Sequence, residues 1–386
     1  MNILFISLGC DKNLVDSEVM LGLLDAKGYQ IVDDETIADV IVVNTCCFIH
    51  DAKEESIQTI LEMAEYKKTG RLKALVVTGC LAQRYQQEII DEIPEVDAVL
   101  GTASYDKIAE AIDEALDGHT EMYLEDIDRL PQVSSKRLVT TGGHYAYLKI
   151  AEGCDKHCTY CVIPKIRGNF RSVPMEQLLK EAKELAEGGV KELILVAQET
   201  TVYGQDIYGE KSLHRLLREL CKIDGIQWIR LLYCYPEEID ANLIQVMKEE
   251  PKICHYLDLP IQHASDAILK KMGRRTSKAQ LVDTIHTLRE EIPDITLRTT
   301  LITGFPGETE EQHEELMDFV DQMEFDRLGV FTYSPEEDTP AAIMPDQIDE
   351  EVKKDRQAEL MELQQEISLD KGQEKIHSEV EVMIEG

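Results

Sequence analysis

Three short runs, residues 2–8, 38–44 and 75–78, are apolar almost without interruption, and each is followed by a helical pattern. No other feature restricts the fold as much. A strand that is apolar on every position is covered on both faces, and strands alternating with helices imply βαβ units in a parallel sheet. A fourth, shorter strand at 96–100 and helices over 17–27, 51–67 and 105–116 extend the pattern. Residues 1–118 therefore read as a doubly wound parallel-sheet α/β domain.

Residues 119–144 are polar with glycine and one proline, and read as a linker with a short strand at 122–124. From 145 the alternation resumes. Strands are expected at 145–150, 192–197, 228–233, 256–260, 295–302 and 328–333, with amphipathic helices such as 175–187 and 278–291 between them. Each strand ends in a polar or Gly-rich sequence, where β/α barrels carry their sites. Six units predict an incomplete (β/α)6 TIM-like barrel that, with a charged amphipathic trailing helix from 350, fills 145–371. The terminal segment 372–386 contains an alternating run, VEVMIEG at 380–386, read as the first strand of a third domain cut short.

The cysteines are placed by this pattern. GCDKHCTYCVIP sets Cys154, Cys158 and Cys161 in CxxxCxxC spacing directly after an expected strand. Short-range thiol spacing of this kind signals metal, although free cysteines also bury without one. Structural zinc takes four closed ligands, and a cubane cluster is normally held by four thiolates. Three thiolates on a four-iron cluster leave one iron open to a small molecule bearing an amine and a carboxylate. Cys10, Cys46 and Cys80 follow the first, second and third strands of the N-terminal domain. Ligands in open α/β sheets gather at the carboxyl ends of strands, so these three predict a second three-cysteine centre. Cys221, Cys234 and Cys254 read as unligated thiols.

The chain has 386 residues, and 75 Asp and Glu against 40 Lys and Arg give a formal net charge of -35. A field of that sign opposes phosphate backbones and favours a basic partner, so nucleic acid is disfavoured as the direct substrate. The N-terminus carries no signal-peptide pattern, no apolar run is long enough to span a membrane, and ten cysteines without a secretion signal fit reduced thiols. A cytoplasmic location is expected.

The CxxxCxxC stretch, with Tyr160 before its last cysteine, resembles the motif of the radical S-adenosylmethionine (radical SAM) enzymes. Joined to a three-cysteine N-terminal domain, it resembles the methylthiotransferase family, whose members end in a TRAM β-barrel that segment 372–386 would begin. SLGCDKNLVDSE around Cys10, CCFIHDAKEES at Cys46, IPKIRG after Cys161, AQETTVYG at Gln198, LPIQHAS at Gln262 and YSPEEDTPA at Tyr333 are similar to the RimO branch, which modifies a ribosomal protein. Cys47 departs from that branch, which more often has glycine there, and leaves Cys46 and Cys47 as alternative ligands, with Cys46 favoured by its position after NT.

The resemblance implies two 4Fe–4S clusters, one on Cys154, Cys158 and Cys161 and one on Cys10, Cys46 and Cys80, with S-adenosylmethionine as cofactor. It implies transfer of a methylthio group to the β-carbon of an aspartate in the twelfth protein of the small ribosomal subunit. That substrate is basic, as the charge of the chain suggests, and an electron donor such as flavodoxin or ferredoxin is implied. Tyr160, Gln198, Glu199, Gln262 and Arg298 are candidate S-adenosylmethionine contacts at or near strand ends, and each has an alternative role in supporting the fold. Gly304, Pro306 and Gly307 read as a turn, and no role follows for His157 or His263. The rival readings are a tRNA adenosine methylthiotransferase with the same clusters and a non-enzymatic iron–sulfur electron carrier.

Overall fold

The computed structural model describes residues 1–131 and 136–384. Four residues of the expected linker and the last two of the expected terminal strand lie outside the described residues. The chain forms two compact units. One comprises Met1–Gly143, Glu152–Asp155 and Val162–Val173, and the other His144–Ala151, Lys156–Cys161 and the chain from Pro174 on.

The first unit is built on a parallel sheet of β1 (Asn2–Ser7), β2 (Gln30–Val32), β3 (Val40–Thr45), β4 (Ala74–Gly79), β5 (Ala98–Leu100) and β6 (Glu121–Tyr123), ordered β2-β1-β3-β4-β5-β6. Every residue of β3 and β4 is buried. The alternation along β3 divides the core. Val40 and Val42 face a cluster with Met20, Leu24, Ile108 and Ile112, while Ile41 and Val43 face one with Ile60, Leu81 and Ile89. Burying such a side chain contributes about 1.5–3 kcal/mol, so both faces must be covered by helices. This is the doubly wound arrangement expected.

One difference stands at an edge of the sheet. β2 has only three residues, each exposed or half-buried, and gives no apolar run to detect. The short strand expected at 122–124 within the linker forms as β6, and it pairs in parallel with β5, Ala98 opposite Glu121, so that it extends the sheet as an edge strand.

The second unit holds β7 (Tyr145–Lys149), then β10 (Glu192–Val196), β11 (Trp228–Leu231), β12 (Ile253–Asp258), β13 (Thr296–Thr303) and β14 (Arg327–Thr332), in the order β14-β13-β12-β11-β10-β7. β8 (Ala151–Glu152) and β9 (Arg171–Ser172) belong to neither large sheet. Neighbours in this second sheet are sequential strands joined by helices, the connectivity of an incomplete (β/α)6 barrel. Ser277 with Gln280 and Thr309 with Gln312 form capping boxes that start the helices Lys278–Glu291 and Glu310–Met323. The trailing helix Glu350–Glu374 packs against β14, and its buried Lys353 donates to Tyr333 O at 3.0 Å.

The strand expected over 380–386 does not form in its described part: residues 380–384 carry no strand, Met383 is half-buried, and Val382 and Ile384 are exposed at 68% and 85%, since an alternating segment forms a strand only against a neighbouring edge. Among the described residues, no helix is long and apolar enough to cross a membrane.

Candidate metal centres

In the first unit β1, β3 and β4 are adjacent and parallel, so their carboxyl ends share one edge of the sheet, at the point where strand order reverses between β1 and β3. Cys10 caps the helix Asp11–Ala26 just beyond β1, Cys46 follows β3 directly, and Cys80 follows β4 as the first residue of the helix Cys80–Tyr85. Cys10 is exposed, and Cys46 and Cys80 are buried.

The loops around these thiols are tied together by buried polar side chains. Asn13 Nδ2 donates to Leu8 O at 2.9 Å and to Thr45 O at 2.8 Å, while Asn44 Nδ2 donates to Asn13 O at 2.9 Å. Ser56 Oγ both accepts from Cys46 N and donates to Cys46 O. Close approach then excludes side chains beside the cysteines. A Cβ at Gly9 would stand 2.7 Å from Cys46 Cβ and 3.0 Å from its Sγ, and one at Gly79, whose φ is +93°, would stand 2.3 Å from Asn44 Oδ1. The repeated Gly-Cys pairs at 9–10 and 79–80 were a signal in the sequence that the reading above did not use.

Cys46 and Cys47 point to different surroundings. The Cys46 thiol lies against Gly9, next to Cys10, whereas Cys47 is fully buried in the apolar cluster with Ile60 and Leu81, a cluster that also takes in Cys80. Burial pushes the Cys46 thiol up, and it pushes the Cys80 thiol up strongly, with the Arg167 cation acting in the opposite direction on both. Each of these two thiols also interacts electrostatically with Cys10.

Arg167 was not among the residues expected. It ends the short helix Ile163–Arg167, whose Ile166 joins Val162 in the apolar cluster beneath β3 and β4. Its Nη1 donates to Asp16 Oδ2 at 2.8 Å and to Glu152 Oε2 at 3.2 Å. Its Nη2 donates to Asn13 Oδ1 and, at 3.4 Å, to Cys80 Sγ.

Among the described residues, no group of three or more His, Cys, Asp and Glu side chains is drawn closely enough to hold a single metal ion. A single zinc, with Zn–S of about 2.3 Å, needs its sulfurs within roughly 4 Å of each other. A four-iron cluster takes each thiolate on a different iron and suits a wider triad. Cys46 against Gly9, where a Cβ would not fit, and Cys80 against the buried Arg167 cation are donors of the kind such a cluster takes.

The CxxxCxxC cysteines are held as follows. Cys154 is buried in the first unit, and its N donates to Gly168 O at 3.1 Å. In the second unit Cys161 N donates to Cys158 O at 3.0 Å, and Thr159 is fixed through its N to Met272 O and its Oγ1 to Lys271 O. Cys158 Sγ lies 3.9 Å from the Tyr235 hydroxyl. Above the Tyr235 ring stands the Arg274 guanidinium at 4.3 Å, with Lys156 Nζ 5.0 Å from the same ring. Arg274 is buried, and its Nε and Nη1 have no hydrogen-bond partner among the described residues.

Of the five candidate contacts, Tyr160 and Glu199 join this network. Burial raises the Tyr160 phenol, with the Cys158 charge adding to the shift, and the ring meets Phe305 edge-on. Lys156 pairs with Glu238 and lies 3.5 Å from Glu199. Burial raises Glu199 to about 7, which Lys156 only partly offsets, while direct hydrogen bonds from Lys156 and Lys211 overcome burial to keep Glu238 below its ordinary value. Gln198 is half-buried just past β10. Gln262, at φ +72°, is held by its backbone to Thr300 O and Ile302 N. Arg298 is the third residue of β13, and its Nη1 donates to Asp258 Oδ1 at 2.5 Å, a pairing separate from the Tyr160 network.

A ribosomal protein uS12 methylthiotransferase RimO of Lachnoclostridium phytofermentans is 68% identical over 386 residues, which are 100% of this chain and 88% of the relative. The chain belongs to the RimO family of methylthiotransferases. RimO proteins of Clostridioides difficile and Geobacter sulfurreducens are each 54% identical, over 98% and 99% of this chain and 85% and 86% of theirs. Residues 2–101 match the family described as uncharacterized protein family UPF0004, and residues 148–320 match the radical SAM superfamily. The fold is similar to that of the radical S-adenosylmethionine methyltransferase TsrM of Kitasatospora setae, with a TM-score of 0.62 at 15% identity over 89% of this chain and 75% of that one. The cobalamin-dependent radical enzyme OxsB has a TM-score of 0.58 at 13% identity, over 96% and 56%. Membership of this family, with the radical SAM match over residues 148–320, makes the chain a radical SAM methylthiotransferase and sets aside the electron-carrier reading.

Proposed function

We propose that this protein adds a methylthio group to the β-carbon of an aspartate in ribosomal protein uS12, in the cytoplasm. The observation that carries the reading is the arrival of Cys10, Cys46 and Cys80 at one edge of three adjacent parallel strands, in a chain that also carries the CxxxCxxC motif. Cys154, Cys158 and Cys161 hold one four-iron cluster, and Cys10, Cys46 and Cys80 hold the other. With both clusters and S-adenosylmethionine bound, the cofactors supply an electron, a hydrogen-abstracting radical and the methylthio group.

The chain supplies placement. Asn13 and Asn44 hold the loops that present Cys10, Cys46 and Cys80, and the fixed backbone of Thr159 holds the turn between Cys158 and Cys161. Tyr160, Gln198, Glu199, Gln262 and Arg298 are the proposed contacts to S-adenosylmethionine. Near neutral pH the raised pKa of Glu199 leaves a large share of it protonated, able to donate as well as accept a hydrogen bond. The net charge of -35 attracts a basic protein and repels tRNA. Flavodoxin or ferredoxin serves as electron donor.

Anaerobic turnover with uS12 and tRNA offered together, read by mass spectrometry, tests the substrate. A methylthio mass increase on an aspartate peptide of uS12 is expected. A product on tRNA alone refutes the proposal.

A further inference from the structure

Arg167 is 2% exposed and sits 87 positions from Cys80, on the segment that directly follows Cys161. Four side chains accept from its two terminal nitrogens: Asp16 and Glu152 at Nη1, Asn13 and Cys80 at Nη2. A guanidinium is a planar fork that is always charged, so it cannot relieve its burial by losing a proton and is held where its acceptors fix it. The two carboxylates lie on one arm, and the other arm meets the sulfur.

Among the described residues, two polar side chains meet the Cys80 sulfur. Asn13 Oδ1, at 3.8 Å, is an acceptor and suits only a protonated thiol. The thiolate that a cluster requires has Arg167 Nη2 as its side-chain donor. Hydrogen bonds to the sulfurs and nearby charge set the potential of an iron–sulfur centre, and the partners of a ligand are as much part of the site as the ligand itself.

We infer that Arg167 is a positioning residue for the centre at Cys10, Cys46 and Cys80: held by Asp16, Glu152 and Asn13, it sets a permanent positive charge against the Cys80 sulfur and raises the reduction potential of the cluster bound there. This rests on the reading that the three cysteines hold a cluster. The plainer alternative is that Arg167 only fastens the helix Ile163–Arg167 to the sheet. The two differ in what Asp16 does. If the charge matters, removing Arg167 makes the centre harder to reduce, while neutralising Asp16, which offsets that charge, makes it easier. A fastening role predicts no such opposition.

The test uses the full chain with Cys154, Cys158 and Cys161 changed to Ala, reconstituted anaerobically, so that one cluster remains. Iron content and a redox titration followed by electron paramagnetic resonance are measured for this parent and for Arg167→Gln, Arg167→Lys and Asp16→Asn. At the parent's midpoint, Arg167→Gln should lower the reduced-to-oxidised ratio at least tenfold, about 59 mV for a one-electron couple. Arg167→Lys should fall between the two, and Asp16→Asn should move the ratio upward. An unchanged midpoint in Arg167→Gln, or shifts of one sign in Arg167→Gln and Asp16→Asn, overturns the inference. If Arg167→Gln binds no iron, Asp16→Asn decides alone: an upward shift supports the inference and any other result overturns it. A parent that binds no iron refutes the three-cysteine reading itself.

Discussion

Asn13 Nδ2 donates to Thr45 O at 2.8 Å, joining the helix behind Cys10 to the last residue of β3, one position before Cys46. The same nitrogen donates to Leu8 O at 2.9 Å, so one side chain serves acceptors from both strand ends that frame the proposed sulfur-donating centre.

Asn13→Leu therefore strands two acceptors at once. Leaving a buried acceptor unsatisfied costs about 1–3 kcal/mol, and urea unfolding should show a loss of roughly 2–4 kcal/mol. The reconstituted variant should also bind less iron than the parent. A loss below about 1 kcal/mol would mean that the two loops are held by something else.

Much of this centre could be read from the sequence, for a specific reason. β3 and β4 are apolar on consecutive positions, so their ends are easily located, and a cysteine directly after each is conspicuous. Asn13, Asn44 and Arg167 were not legible. Their partners lie 31 to 154 positions away for the bonds that matter most, and nothing local in the sequence marks such pairings. The short edge strand β2 escaped because three residues at an edge need no apolar pattern. Residues 380–384 misled in the opposite direction: their alternation is real, but alternation describes a strand only where an edge is available to pair with it.

The doubled cysteine gives a direct comparison. Cys46 lies against Gly9 beside Cys10, and Cys47 lies in the apolar cluster. In the protein lacking Cys154, Cys158 and Cys161, Cys46→Ala should abolish cluster binding, whereas Cys47→Ala should keep its iron and lose about 1 kcal/mol or less of stability. Iron analysis and visible absorption separate the two, and the reverse pattern would make Cys47 the ligand.

Glu199 predicts a pH dependence. Burial raises its carboxyl to about 7, with Glu238 and Glu237 adding to the shift and Lys156 and Thr201 opposing it. A group whose folded pKa exceeds its unfolded value contributes stability that is complete below about pH 4.5 and is lost as pH rises through about 7. The shift corresponds to roughly 3 kcal/mol. Chemical denaturation at intervals from pH 4 to 8 should show the wild type losing stability relative to Glu199→Gln, with the difference accumulating between about pH 4.5 and 7 and levelling off above that. Parallel curves would show that Glu199 is ionised throughout.

The central claim is that the two sets of cysteines have separate tasks. The decisive measurement is anaerobic turnover of the full chain with Cys10, Cys46 and Cys80 changed to Ala, following 5′-deoxyadenosine and the mass of uS12 together. The account predicts that 5′-deoxyadenosine still forms while no methylthio group reaches uS12. Methylthiolated uS12 from this variant, or loss of S-adenosylmethionine cleavage in a variant that retains the Cys154, Cys158 and Cys161 cluster, would contradict it.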